Sequence, residues 1–536
     1  MSRPLVPQLT RVDRHQPFRF EAGNPGEASA PLCGRRSLHP VYPVSMDVRR
    51  FPQSRAPHPR HDPRRAGGAG RRATAPSACD APAMVRVKTQ VTAPPVRRTE
   101  RTTRIAAAFG LGLDRSTQRV IDRVSFNLAD GRIVLLLGAS GSGKTTVMKA
   151  LADALPFRVT VDAAEFPPDA AIIDGVGAGL GLDETLALLS RCALGEAPLW
   201  LRRIDELSCG QRFRAALARA LAAALASRPR RVLLCDEFAT GLHRRAARAL
   251  GFNLRRLVSE HRLCAVAASC TDDVICDLRP DVVVRFVGGG RCTVEERAPR
   301  PAAPFSLRRT VCIEPGSKRD YADFAPMHYR ATDELGFVDK VFVLRERRGA
   351  AALGIIVYAH GPRELALRNE ATGGRFVRGL ERLNRECRMI RRLVIHPDVR
   401  GCGLGRLLVR RTLPLVGTRF VECLATMGDV NPVFERAGMR RIGRCEYPPC
   451  FRVSLDRLRT LGVAPCDGGF VARVGRSREV RGIVSAAVAR WYWATVGEGD
   501  RRVARQSPDM LAQLYRNLLS SRPVYYLWEA SEGMRE

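Results

Sequence analysis

At 536 residues the chain exceeds what one hydrophobic core organises and has room for three or four domains of ordinary size. Its 88 Lys+Arg against 54 Asp+Glu leave a formal charge of +34, which suits nucleic acid, anionic lipid or acidic partners, although lysine stands only at positions 88, 144, 149, 318 and 340 and the excess reflects a bias toward arginine as much as a partner. The 16 cysteines lie scattered without a C-x-x-C pair, no apolar run reaches the roughly 18 residues of a membrane span, and the start lacks an apolar signal core, so free buried cysteines are favoured over a disulfide framework or zinc site, no membrane-crossing helix is expected, and a cytoplasmic location follows as an expectation.

Residues 1–84 are rich in proline and arginine and show no sustained period, which predicts disorder. They read either as a basic arm for nucleic acid or as sequence translated ahead of a start at Met84. From Val85 apolar strands and helices alternate, predicting an α/β domain over 85–299 that ends in the linker "ERAPRPAAP". A second α/β domain is expected over 300–458. Helical apolar spacing in "SREVRGIVSAAVARWYWATVG" and "SPDMLAQLYRNLLSS" predicts a small helical C-terminal segment over 459–536, its tryptophans serving as core.

"RIVLLLGASGSGKTTVMKAL" places strand, glycine loop and helix in the order a P-loop requires. Gly138, Ser140, Gly141 and Gly143 carry backbone N–H groups toward phosphates, Lys144 meets the β- and γ-phosphates, and Thr145, followed by Thr146, offers a hydroxyl to Mg²⁺. One of five lysines sits where a compact ammonium is needed. Further on, "LSCGQ" at 207–211 opens an alanine-rich helix, and "RVLLCDEF" ends an apolar strand in Asp236 and Glu237.

Together these motifs resemble the ABC-type ATPase family over about residues 105–290. The resemblance implies that Asp236 organises Mg²⁺ and that Glu237 polarises the attacking water. It also implies that Ser208, Gly210 and Gln211 cap the γ-phosphate of ATP held by a second copy, and hence a homodimer through this domain. Phe109 either stacks on adenine or packs. Several positions depart from the family: no glutamine lies between Gln118 and Gln211, Cys209 replaces a signature glycine, His243 stands where the D-loop has aspartate, and Cys270 stands in place of a switch histidine. These departures predict ATP binding with slow hydrolysis and disfavour a transporter subunit.

In the second domain "KVFVLRERRGAAALGIIVYAH" predicts a hairpin, and "LVIHPDVRGCGLGRLLV" a strand, a glycine turn and a helix without the lysine and acidic pair of a triphosphate site. With "NPVFERAGM" downstream, the segment resembles the GNAT acyltransferase family, an α+β fold. The resemblance implies acetyl-CoA as cofactor. Its pyrophosphate would lie on the turn formed by Arg400, Gly401, Gly403, Gly405 and Arg406, and its pantetheine arm along a splayed strand at Leu393, Val394 and Ile395. Glu386 is the candidate base. Phe434 stands where the family has a tyrosine acid, so the acid is His328 or Tyr329, or solvent, or transfer has been lost. His396 is expected to bond backbone as Pro397 ends the strand. The combined expectation is ATP-gated acylation of a nucleic acid or a nucleic-acid-associated substrate; the alternative is an ATP-dependent nucleic-acid-binding protein with an inert GNAT scaffold.

Overall fold

The computed structural model describes residues 44–50, 83–177, 179–227, 231–298, 302–328, 335–347, 351–446, 449–496, 499–519 and 522–531, which belong to one compact unit. Three sheets organise it. The first is antiparallel: β1 (Val44–Arg50) pairs with β2 (Ala83–Ala93), and β2 with β3 (Ser116–Leu128). Residues 44–50 and the start of β2 lie inside the segment expected to be disordered, so that expectation is corrected there. "VSMDVRR" alternates Val44, Met46 and Val48, a period too short to stand out among prolines but sufficient for a strand once β2 offers a ladder. The remainder of 1–84 lies outside the described residues.

The second sheet runs in the order β5, β6, β7, β4, β8, β9, from β4 (Ile133–Leu137), β5 (Arg158–Thr160), β6 (Val232–Cys235), β7 (Cys264–Ser269), β8 (Val282–Gly288) and β9 (Arg291–Glu296). All pairings are parallel except β8 with β9. Every residue of β4 is buried, as a parallel strand covered on both faces must be. One face packs on the first sheet through Val85, Ile121, Phe126, Val134 and Leu136. The other carries helices, among them Cys209–Ala226 and Arg244–His261.

The third sheet runs β10, β11, β12, β13, β14, β16, β15. Its strands are β10 (Val311–Pro315), β11 (Val338–Glu346), β12 (Ala352–Ala359), β13 (Cys387–Ile395), β14 (Phe420–Ala425), β15 (Arg440–Arg444) and β16 (Val524–Glu529). The expected hairpin is β11 and β12. Only β13 and β14 are parallel, and their ladder covers Cys387–Ile390 against Phe420–Cys423 while β13 runs on to Ile395.

The expected helical C-terminal segment is corrected at its end. Strand β16 inserts between β14 and β15, so the sheet of the second domain extends past residue 458. "VYYLWE" is apolar and β-prone, and Val524, Tyr525, Tyr526 and Leu527 are buried on both faces of the sheet. The helices between β15 and β16 enclose a core of their own around Phe451, Phe470 and Tyr515. The ATPase and the second domain touch directly: Phe252 lies 5.5 Å from Phe305 between ring centroids, and Ala249 joins the core beneath the third sheet. Among the described residues no helix is long and apolar enough to cross a membrane.

Candidate functional site

The glycine loop joins the end of β4 to the helix Lys144–Ala154. Parallel alignment brings the ends of three strands to one edge, with β7 lying between β4 and β6, where open parallel sheets bind ligands. Hydrogen bonds tie these ends together: Gly138 N–H donates to Ser269 O (3.4 Å) and Phe238 N–H to Ala268 O (2.6 Å). Gly143 has φ +101°, and a Cβ there would come within 2.8 Å of Val120, so only glycine suits this turn.

Among the described residues the N–H groups of Ala139, Ser140 and Gly141 have no backbone acceptor, and the buried Ser142 Oγ has no partner. Lys144 folds back, its Nζ donating to Gly138 O and Ala139 O at 2.7 Å each. A ring of unmatched donors around a lysine that satisfies itself on the loop fits a polyphosphate. Thr145 is exposed beside Thr146 at the start of the helix, and Asp236 is half-buried at the end of β6. A hydroxyl and a carboxylate are the oxygen donors that suit Mg²⁺.

Glu237 is exposed and left-handed, at φ +49°, as is Ala239 at +60°. Non-glycine residues hold that conformation only where the surroundings impose it. Here the Glu237 N–H is fixed by Asp236 Oδ1 at 3.0 Å, and Phe238 is buried.

At the signature segment Ser208 caps Cys209–Ala226, accepting from Gln211 N–H while Gln211 Oε1 accepts from Ser208 N–H (3.0 Å), a reciprocal cap. Ser208 and Cys209 are exposed, and Gly210 packs against Leu242. Arg214, which the sequence gave no reason to single out, supports this segment by donating from Nε to Gly210 O and from Nη1 to Ala193 O. Phe109 ends the helix Glu100–Phe109 at 70 % exposure, so the packing alternative is corrected. Cys270 is exposed after β7.

The AAA domain family matches residues 128–271. Aliphatic sulfonates import ATP-binding protein SsuB 2 of Rhodococcus jostii (strain RHA1) is 31% identical over 204 residues, 34% of this chain and 80% of its own length. The chain belongs to the ABC-type ATPase family. Phosphonates import ATP-binding protein PhnC of Burkholderia pseudomallei (strain 1710b) is 27% identical over 261 residues, covering 40% of this ABC-type ATPase and 79% of the relative. Among solved structures, the dimeric structure of MJ0796, a bacterial ABC transporter cassette, aligns with a TM-score of 0.27 at 19% identity, over 32% of this chain and 88% of that one.

The second glycine turn lies between the short turn Pro397–Val399 and the helix Leu404–Thr412. Gly401 and Gly403 have φ +78° and +81°. A Cβ on Gly403 would meet nothing within 4 Å, whereas one on Gly401 would come within 2.7 Å of Asn253 Nδ2, so the turn is open on one side and backed by the ATPase on the other. Among the described residues the N–H groups of Gly401, Cys402 and Gly403 have no backbone acceptor. Gly405 is half-buried against Val433 and Ile395, and Arg406 is exposed.

Arg400 does not point into the turn. Its guanidinium donates to Ile395 O (2.8 Å), Gly195 O (3.0 Å) and Met327 O (2.8 Å), joining both domains. Leu393, Val394 and Ile395 pair with β12 on one side and lie past the end of the β13–β14 ladder on the other. His396 caps the turn as expected, its Nδ1 accepting from Asp398 N–H at 3.3 Å.

The catalytic expectations fare differently. Arg375 donates to both oxygens of the candidate base Glu386, at 2.7 and 3.1 Å, and this pairing holds the carboxyl below its usual range, so the side chain is an ion-paired carboxylate. His328 is half-buried in the segment whose Met327 O receives Arg400, and Tyr329 lies outside the described residues. Phe434 is buried against Tyr526, ring centroids 5.5 Å apart.

Proposed function

We propose that the protein binds and slowly hydrolyses ATP as a homodimer of its ATPase domain and uses that cycle to gate acyl transfer from acetyl-CoA by its second domain to a nucleic acid or a nucleic-acid-associated substrate. For the ATPase, family membership is joined by a loop of unmatched N–H groups around Lys144. Lys144 would exchange two loop carbonyls for phosphate oxygens, Thr145 and Asp236 would hold Mg²⁺, and Glu237 would orient water. Bound Mg²⁺ and ATP together supply the electrophilic phosphorus.

The acyltransferase reading rests on one observation above the others: the ladder between parallel strands β13 and β14 stops at Ile390 and Cys423, beside an open glycine turn. Unpaired strand backbone next to a phosphate-sized nest suits an extended amide chain ending in a pyrophosphate. The formal charge of +34 supports a polyanionic acceptor. The deciding experiment incubates the full chain with ATP and radiolabelled acetyl-CoA in the presence of cell RNA, DNA or protein; label in none of them sinks the acylation reading.

A second reading, an ATP-dependent nucleic-acid-binding protein with an inert second domain, is favoured by the missing acid. Phe434 has no proton to give, and the neighbouring Tyr526 hydroxyl donates to Gly428 O while burial pushes it up to about 12. The import role named for the curated relatives is a third reading, which ATP-dependent co-purification with a membrane protein would favour.

A further inference from the structure

The helix Arg244–His261 follows the loop that carries Asp236 and Glu237, and its first turn holds Arg244 and Arg245 but no acid. Positive charge at a helix N-terminus opposes the macrodipole. His243 caps this helix with Nδ1 accepting from Arg245 N–H at 3.3 Å, which satisfies one donor without adding negative charge. Asp273 neutralises Arg244 from 2.9 Å. The remaining carboxylate comes from the other domain: Asp398 Oδ2 stands 3.7 Å from His243 Nδ1 and 3.6 Å from His396 Nδ1.

Asp398 is held in place. Its N–H is bound by His396 Nδ1, and the turn beyond it is fastened along the same helix. Asn253 Nδ2 donates to Arg400 O and Arg256 Nη1 to Gly401 O, each at 3.4 Å, and Cys402 Sγ lies 3.7 Å from Ala249 O. The loop between β6 and this helix needs such support, since it holds Glu237 and Ala239 in left-handed conformations.

We propose that Asp398 is a positioning residue for ATP hydrolysis, supplying from the second domain the carboxylate that the first turn of the Arg244–His261 helix lacks and so holding the loop that presents Asp236 and Glu237. This rests on the ATPase reading and is independent of acetyl-CoA. The carboxylate acts through its charge and not through a hydrogen bond to either ring, since each Nδ1 already accepts from a backbone N–H.

The test is steady-state ATP hydrolysis by the full chain. Asp398→Ala and the isosteric Asp398→Asn should lower kcat by about fivefold or more with KM for ATP changed by less than about twofold, and His243→Asp in the Asp398→Ala background should restore most of the loss by placing a carboxylate at the N-terminus of that helix. Hydrogen exchange over residues 236–247 should quicken in Asp398→Ala and recover in the double variant. Unchanged kcat in both single variants, or no rescue in a double variant with wild-type thermal stability, overturns the proposal. Absence of turnover in the wild type counts against the ATPase reading instead, and the exchange measurement then decides: flat exchange in Asp398→Ala overturns the positioning role.

Discussion

Ile390 and Cys423 are the last facing residues of the β13–β14 ladder, and the strands end unjoined beyond them. If that gap and the adjoining turn receive acetyl-CoA, calorimetry should give one site per chain. Gly403→Val should weaken it by roughly tenfold or more, because the new side chain stands in the mouth of the turn. Nothing lies within 4 Å of a Cβ there, so the cost to folding is confined to the left-handed backbone, about 1–2 kcal/mol.

At the first loop, Lys144→Ala should abolish ATP binding measured with a fluorescent analogue, since the unmatched N–H groups alone do not replace an ammonium. Glu237→Gln should keep binding and slow hydrolysis by roughly 10²–10⁴-fold. In sedimentation with ATP the same variant should run as a dimer; a monomer would remove the shared-nucleotide arrangement.

The Arg375–Glu386 pair has a pH signature. The Glu386 carboxyl is lowered chiefly by its hydrogen bonds from Arg375, so its stabilisation is present in full above the ordinary glutamate value and is lost as pH falls through the depressed one. Glu386→Gln should therefore destabilise at pH 7, by at most ~1 kcal/mol for a partly solvated pair, and the difference from wild type should shrink as pH falls through the depressed value. Chemical denaturation over a series of falling pH values checks this.

Arg368 and Glu422 are both fully buried, joined at 2.6 and 2.8 Å, and Tyr525 donates to Glu422 Oε2 at 2.9 Å. Removing one member strands the other charge. Arg368→Ala should cost about 3–5 kcal/mol in urea denaturation, whereas Tyr525→Phe, which removes one donor to the buried carboxylate and leaves the ion pair intact, should cost about 1.5–3 kcal/mol.

Because β16 lies between β14 and β15, a chain ending at residue 458 should fail to complete the third sheet. Limited proteolysis should then leave the region up to β9 protected and degrade the rest. A truncated chain with a protected second domain would restore the boundary expected from sequence.

What could be read from sequence was local chemistry. The P-loop, the signature segment that opens a helix after Ser208 and the glycine turn each depend on a few adjacent residues whose types have few other uses. The second domain's hairpin followed from its alternation. What escaped depends on pairing at a distance. "VYYLWE" looks like any short apolar run until β14 and β15 flank it, and Glu386 looks like a free base until Arg375 folds back onto it. Asp398 drew no reading from the sequence because its charge acquires meaning only beside His243 of the other domain.

The place of β16 also sets an order in time. Glu422 and Tyr525, hydrogen-bonded neighbours on adjacent strands, are 103 residues apart in the chain, with the whole helical insertion between them. On a ribosome the nucleotide-binding sheet is complete at β9, while β14 emerges with one edge bare and must wait for the helices to be made before its partner arrives. During that interval the neighbouring ATPase helix is the surface already formed against which the second domain can begin to assemble.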